Sequence, residues 1–128
     1  MTRTIKAFKI PCNGQLPELV EIPDELEVYQ EFVGGYIEIV RVPPKPIMFV
    51  NDTGLIETVR VPPDVIMVVN DTGLIDELPI NLIASMFYPG ATPICGNAWI
   101  VGDHHDENFH DVPDELINFL TKLDKIIL

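Results

Sequence analysis

Residues 41–79 hold one segment written twice, and this duplication limits what the chain can fold into more than any other feature. The first copy reads RVPPKPIMFVNDTGLIE from Arg41 to Glu57, and the second reads RVPPDVIMVVNDTGLID from Arg60 to Asp76, at a constant offset of 19 residues. Each copy runs Pro-Pro, then an apolar run, then Asn-Asp-Thr-Gly, then an apolar pair. That pattern predicts a strand, a tight turn and the start of a returning strand. Proline cannot donate to a ladder, so Pro43-Pro44 and Pro62-Pro63 mark where strands begin. Asp52-Thr53-Gly54 and Asp71-Thr72-Gly73 suit a type I turn followed by a left-handed residue, the three-residue loop of a bulged hairpin. Two copies are too few for a stacked solenoid. The duplication should therefore lengthen a sheet or leave one hairpin outside it, and an enlarged sheet is the expectation. In that case Met48 and Val50 lie on a face equivalent to Met67 and Val69 on a neighbouring strand. The new hairpin would then expose an edge that invites a homodimer.

The rest of the chain supplies the partners. Thr4 to Ile10 reads as a first strand and Glu18 to Ile22 as a short returning one. Pro23-Asp24-Glu25-Leu26 opens a helix, with proline in its first turn and acids at the positive end of its dipole. Leu26, Tyr29, Phe32 and Val33 form its buried stripe, and Gly34 suits the residue that ends it. Tyr36 to Val42 alternates as a strand, with Ile37 and Ile39 on one face. Asn81 is placed to cap a short helix through Leu82, Ile83, Ala84 and Met86. Asn97 to Val101 is a last strand, ended by Gly102. Residues 103–111 form a loop, and Pro113-Asp114-Glu115-Leu116 opens a final helix. Leu116, Phe119, Leu120, Leu123, Ile126 and Ile127 make its apolar face, with Lys122 and Lys125 near its end. This order argues for one α+β domain over residues 1–128, with a mostly antiparallel sheet, two main helices packed on it and a duplicated β-hairpin segment. The predicted core is Tyr29, Phe32, Ile37, Ile39, Trp99, Ile100, Phe119, Leu120 and Leu123.

Composition bounds the function. A 47% hydrophobic chain of 128 residues has the means to bury a core. Twenty acids against eight bases give a net charge of −12, which repels nucleic-acid backbones and excludes direct DNA or RNA binding from the expectation. It attracts a basic partner instead. The N-terminal MTRTIKAFKI has no apolar centre and is not read as a signal peptide. No run approaches the ~20 apolar residues of a membrane helix, so the expected setting is cytoplasmic, with no membrane association. Cys12 and Cys95 are far apart and in no metal-ligand spacing.

Four signals come in a recognisable order: Val33-Gly34-Gly35-Tyr36-Ile37-Glu38, Val-Asn-Asp-Thr-Gly-Leu, Leu78-Pro79-Ile80-Asn81, and Ile94-Cys95-Gly96-Asn97-Ala98-Trp99-Ile100-Val101-Gly102. Together they resemble a small domain of unknown function carried by phages, plasmids and their bacterial hosts. That family shows a GGYIE-like strand, one VNxxG turn, an LPxN segment and a GxAxIVG strand, so the second VNxxG turn is a departure. Which copy occupies the family position stays open on sequence alone. The resemblance carries over no catalytic residues. It implies a mobile-element setting, in which small acidic proteins act on host defence.

Several constellations invite chemistry. Asp-Thr-Gly is also the triplet of aspartic proteases, in which two aspartates share a proton. Here, however, Leu55 and Leu74 follow the triplets, and 19 residues cannot separate two lobes. Residues 103–111 hold all three histidines among four acids, a donor set that suits zinc, but in no fixed ligand spacing. No metal and no cofactor is expected. The remaining candidate is the acidic face. Glu18, Glu21, Asp24, Glu25, Glu27 and Glu31 form one cluster. Asp103, Asp106, Glu107 and Asp111 form another, and each borders a helix N-terminus. Rows of carboxylates imitate DNA phosphates to a protein that binds DNA. The expected function is thus a non-enzymatic acidic binding protein of phage or mobile-element type, which inhibits a host defence or nucleic-acid-handling protein. The alternative is a binder or sponge for a nucleotide signal at Gly34, Gly35, Tyr36 and Glu38, and a metal-dependent or aspartic hydrolase ranks below both.

Overall fold

A computed structural model describes residues 3–44, 46–50, 56–88 and 90–121. Among them lie β1 (Thr4–Ile10), β2 (Glu18–Pro23), α1 (Leu26–Val33), β3 (Ile37–Arg41), β4 (Pro46–Val50), β5 (Ile56–Arg60), β6 (Val65–Asn70), α2 (Leu82–Phe87), β7 (Ala98–Asp103), β8 (Phe109–His110) and α3 (Asp114–Leu120). The main sheet has the order β2-β1-β7-β6-β3, every neighbour is antiparallel, and β8 pairs with β7 beyond the stretch where β1 and β7 pair. β4 and β5 form a separate two-stranded sheet. The class is α+β, as the element order implies.

Strands covered on both faces read as continuous apolar runs. β6 (VIMVVN) and β7 (AWIVGD) are buried at every position. On one face Tyr29 and Val33 of α1 pack with Ile5, Ala7, Ile66, Val68, Trp99 and Val101. On the other, Ala84 and Phe87 of α2 and Leu116 and Leu120 of α3 pack with Phe8, Ile10, Met67, Val69 and Ile100. Tyr29, Trp99, Ile100 and Leu120 are buried as expected, while Phe32, Ile37 and Phe119 are half-buried. Ile39 corrects the expected core. It is 53% exposed, because β3 is the edge strand and the apolar cluster under α1 reaches Ile37 but not Ile39. Leu123, Ile126 and Ile127 lie outside the described residues.

Helix boundaries follow local chemistry. Pro23 belongs to β2 rather than to α1: the Asp24 amide donates to the Arg3 carbonyl at 2.8 Å, and the helix starts at Leu26. Gly34 ends it in the left-handed region at φ 83°, its amide bonded to Gln30 O. Asn81 caps α2, its side chain accepting from the Ala84 amide at 3.0 Å. β7 continues through Gly102 to Asp103, and residues 109–110 form β8 where a loop was expected.

The duplication folds in a way the repeat alone did not predict. The repeated unit is longer than its clearest part: Ile37–Leu55 and Ile56–Leu74 align residue for residue, so β3 and β5 are counterparts, as are β4 and β6. The outer strands pair with each other, with Ile37 opposite Asn70 and Arg41 opposite Ile66. The inner strands pair with each other, with Pro46 opposite Arg60. Each copy therefore gives one strand to the main sheet, and the inner hairpin sits in the connection between them. The sheet is not enlarged, and Met48 and Val50 are not on a strand beside Met67 and Val69. The second turn also differs from its expected form. β6 stops at Asn70, and residues 71–77 turn on themselves, with the Asp76 amide on Thr72 O. Asn70 Oδ1 accepts from the Thr72 amide, Asn70 Nδ2 donates to Val33 O, and Thr72 Oγ1 donates to Asp76. Gly73 is required by close approach rather than by a left-handed φ: a Cβ there would stand 2.4 Å from the Cys95 carbonyl oxygen. Asp52-Thr53-Gly54 lies outside the described residues.

Candidate functional site

The first acidic cluster runs from β2 into α1. Glu18 and Glu21 stand opposite Lys9 and Lys6 across the β1–β2 pair. Asp24 is engaged internally: it accepts from Tyr29 Oη at 2.7 Å and lies 3.6 Å from Arg3, which also donates to Phe109 O. Burial, and then Asp24 itself, push the Tyr29 hydroxyl far above its ordinary range and keep it a donor. The Tyr29 and Phe109 rings meet edge-on at 4.9 Å. Arg3 and Tyr29 thus fasten the start of α1 to β8, and with it to the second cluster. Glu25 at the N-cap and Glu27 and Glu31 on α1 are exposed.

In the second cluster two carboxylates hold the β7–β8 turn and a third ties the residue after β8 to β1. Asp103 is buried, pairs with Arg41 at 2.8 Å and accepts from the His105 amide at 3.0 Å. That amide first, and Arg41 after it, hold the Asp103 carboxyl below the usual range. Asp106 accepts from the Asn108 amide and from His110 Nε2, both at 2.9 Å, and is lowered in the same order. His104 stacks on His110 with centroids 3.9 Å apart. Asp111 accepts from the Lys6 amide at 2.8 Å. Glu107 is exposed. Among the described residues, no three His, Cys, Asp or Glu side chains are arranged to hold a metal ion.

At the candidate nucleotide region, the Gly34 and Gly35 amides both donate to Gln30 O, so neither points to a phosphate. Tyr36 is 75% exposed. Glu38 borders a shallow hollow of about 240 Å³ with Asn70, Asp71, Leu74 and Tyr88. Asp71 is exposed in its turn, and Asp52, the other aspartate of a protease reading, lies outside the described residues. Cys12 and Cys95 are free thiols.

A further hollow was not anticipated. It is a trough of about 590 Å³ beside α1, on the face of β2, β1 and β7. Val20, Ile22, Val28, Phe32 and Trp99 form its apolar lining, with Glu31 on the helix wall and Lys9 in its floor. The Lys9 ammonium lies 4.8 Å from the Phe32 ring centre and 5.9 Å from that of Trp99. Asn97 holds the end of the trough, accepting from the Cys12 amide and donating to Phe32 O. A smaller hollow of about 220 Å³ adjoins it through Lys9 and Phe32 and contains Glu18. The sequence signal was faint: Lys9 breaks the apolar alternation of β1. Its meaning depends on Lys9 standing opposite Trp99, which only the strand order reveals.

A family model described as Domain of unknown function (DUF3846) matches the chain twice, over residues 5–59 and 53–125. The two matches meet where the two copies of the repeat meet. No curated protein matches the chain, and no solved structure does.

Proposed function

The chain belongs to the DUF3846 family, a domain of unknown function, and from that premise we propose that it is a non-enzymatic acidic binding protein of phage or mobile-element type. It engages a basic surface of a host defence or nucleic-acid-handling protein, at the place where that protein would otherwise meet phosphates. The observation that carries this reading is Glu31. It lies in the last turn of α1, where the helix dipole favours a cation, and that helix has no basic residue there. It also follows Glu27 by four residues, a like-charge pair that costs a few tenths of a kcal/mol. Folding would be served better by lysine at position 31, whereas Glu27 sits in the first turn, where the dipole favours an acid. A carboxylate that works against its own helix is suited to a cation from outside, and the net charge of −12 steers such a partner in.

The test is charge reversal. Glu25→Lys, Glu27→Lys and Glu31→Lys together should leave the melting transition in place and abolish both capture of the host protein and its inhibition. Wild-type binding should weaken steeply between low and high salt. A folded triple variant that still inhibits fully would reject the acidic surface and favour a small-molecule ligand.

A further inference from the structure

We propose that the trough beside α1 takes the guanidinium of an arginine side chain presented by the protein partner, with Lys9 as a resident cation that the arginine displaces. This rests on the reading of the partner as a basic protein and names the residue that anchors it. Lys9 faces Glu18 directly across the β1–β2 pair, yet its ammonium lies over Phe32 and Trp99. The two rings meet edge-on at 4.9 Å and offer a cation their π density. Lysine is a strongly hydrated point charge on a flexible stem, held there by ring contacts that are weak at a partly open site. A guanidinium is planar, less hydrated and stacks on rings, so it suits the same place better. Three carboxylates stand at the margins, Glu31 on the helix wall, Glu21 on β2 and Glu18 in the adjoining hollow. With Lys9 drawn aside toward Glu18, an incoming arginine would find the rings and Glu31 free. A planar anion would gain Lys9 but meet all three carboxylates and the field of a strongly acidic protein.

The two occupants predict opposite effects at Lys9. Trp99 is the chain's one tryptophan and lines the trough, so its fluorescence reports the site directly. The probes are Nα-acetyl-arginine methylamide and, in parallel, adenosine monophosphate. The arginine probe should change Trp99 fluorescence saturably, and the nucleotide should not. Lys9→Met removes the competing cation and should tighten the arginine probe by about threefold or more. Glu31→Gln, on an exposed helix position where folding is not at stake, should weaken it by a similar factor. Weaker arginine binding in Lys9→Met overturns the proposal. So does nucleotide binding that Lys9→Met abolishes, which would make the trough an anion site. No saturable arginine response in either the wild type or Lys9→Met rejects it as well. The outcome is separable from the proposed function. If the probe fails while the triple reversal still abolishes inhibition, only the anchor falls. If the probe binds while the triple reversal leaves inhibition intact, the acidic-surface reading falls and the arginine site stands.

Discussion

β4 and β6 begin from nearly the same sequence, IMFVNDTGL in one copy and IMVVNDTGL in the other, and end in different places. β6 lies between β3 and β7 with all six residues buried. β4 pairs with β5 alone, its Pro46 exposed and its Ile47 turned into the core on the side of α2 and α3. The counterpart of Ile47 is Ile66, which packs on the opposite side, under α1. The registers explain the exchange. Arg41 stands opposite Ile66, but its counterpart Arg60 stands opposite Pro46, one position before Ile47. A slip of one residue moves every side chain to the other face. The lesson is that the repeat encodes a strand pair and not a location. Location comes from what lies beyond it, above all β7, which pairs with β6.

One difference between the copies decides which can sit in the centre. Where β6 has Val68, the first copy has Phe49. Val68 is fully buried, directly opposite Trp99 in β7. Copying the first sequence into the second as Val68→Phe should force a ring into that space and cost about 3 kcal/mol, near the upper end for overpacking a core. Chemical denaturation followed by Trp99 fluorescence measures it. A loss below about 0.5 kcal/mol would mean that the two copies are interchangeable in the sheet, and the comparison would lose its basis.

Much of the fold was legible because local chemistry settled it. Asn81 reads as a cap, Gly34 as a helix end, and the apolar runs at residues 65–69 and 98–101 as strands. The pairing was not legible. Two equal copies allow tandem hairpins, an enlarged sheet or nested pairs, and all three satisfy the same apolar pattern. Nesting is selected by long-range contacts, such as Asn70 Nδ2 on Val33 O, that no period records. The acidic residues were legible as a list and not as roles. Asp24, Asp103, Asp106 and Asp111 are spent on internal hydrogen bonds, whereas Glu27, Glu31 and Glu107 face outward. The trough stayed hidden because Lys9 and Trp99 are distant in sequence.

Nested pairing makes the inner hairpin removable. Deleting residues 43–61 joins Val42 to Pro62 and leaves Pro62-Pro63-Asp64 between Val42 and Val65. Those two residues already meet, since the Val42 amide donates to the Val65 carbonyl at 3.3 Å, and three residues suffice to close a hairpin. The deletion removes the buried side chains Ile47 and Val61, each contributing roughly 1.5–3 kcal/mol. It also spares the ordering of a two-stranded hairpin that is marginal by itself. These effects oppose each other, so stability should change by less than about 2 kcal/mol, and the triple-reversal phenotype should be preserved. An unfolded product would show that the inner hairpin is an indispensable part of the core. Sedimentation of both chains tests the homodimer expected from the sequence as well: a dimer that survives the deletion does not use the β4–β5 edge.

The smallest expected effect gives the sharpest comparison, because it concerns one residue type at one repeat position. Arg41 and Arg60 are counterparts, but Arg41 reaches Asp103 at 2.8 Å while Arg60 stands opposite Pro46. The Arg41 side chain is 67% exposed, so the pair is screened, and Arg41→Gln should cost no more than about 1 kcal/mol. Arg60→Gln should cost nothing measurable. The pH dependence identifies the cause. Asp103 is held below its ordinary pKa in the folded state, by the His105 amide first and Arg41 second. Its stabilising contribution is therefore present above the unfolded carboxyl value of about 3.9 and is lost as pH falls through the folded value. Wild type and Arg41→Gln should differ at neutral pH and converge in acid as Asp103 takes up its proton, with the amide bond to His105 sustaining part of the lowering in both. Thermal melts of the two variants at pH 7 and at pH 3 measure the difference. Equal losses for Arg41→Gln and Arg60→Gln, or a gap for Arg41→Gln that stays constant with pH, would show that the two copies do not differ electrostatically in the way their register requires.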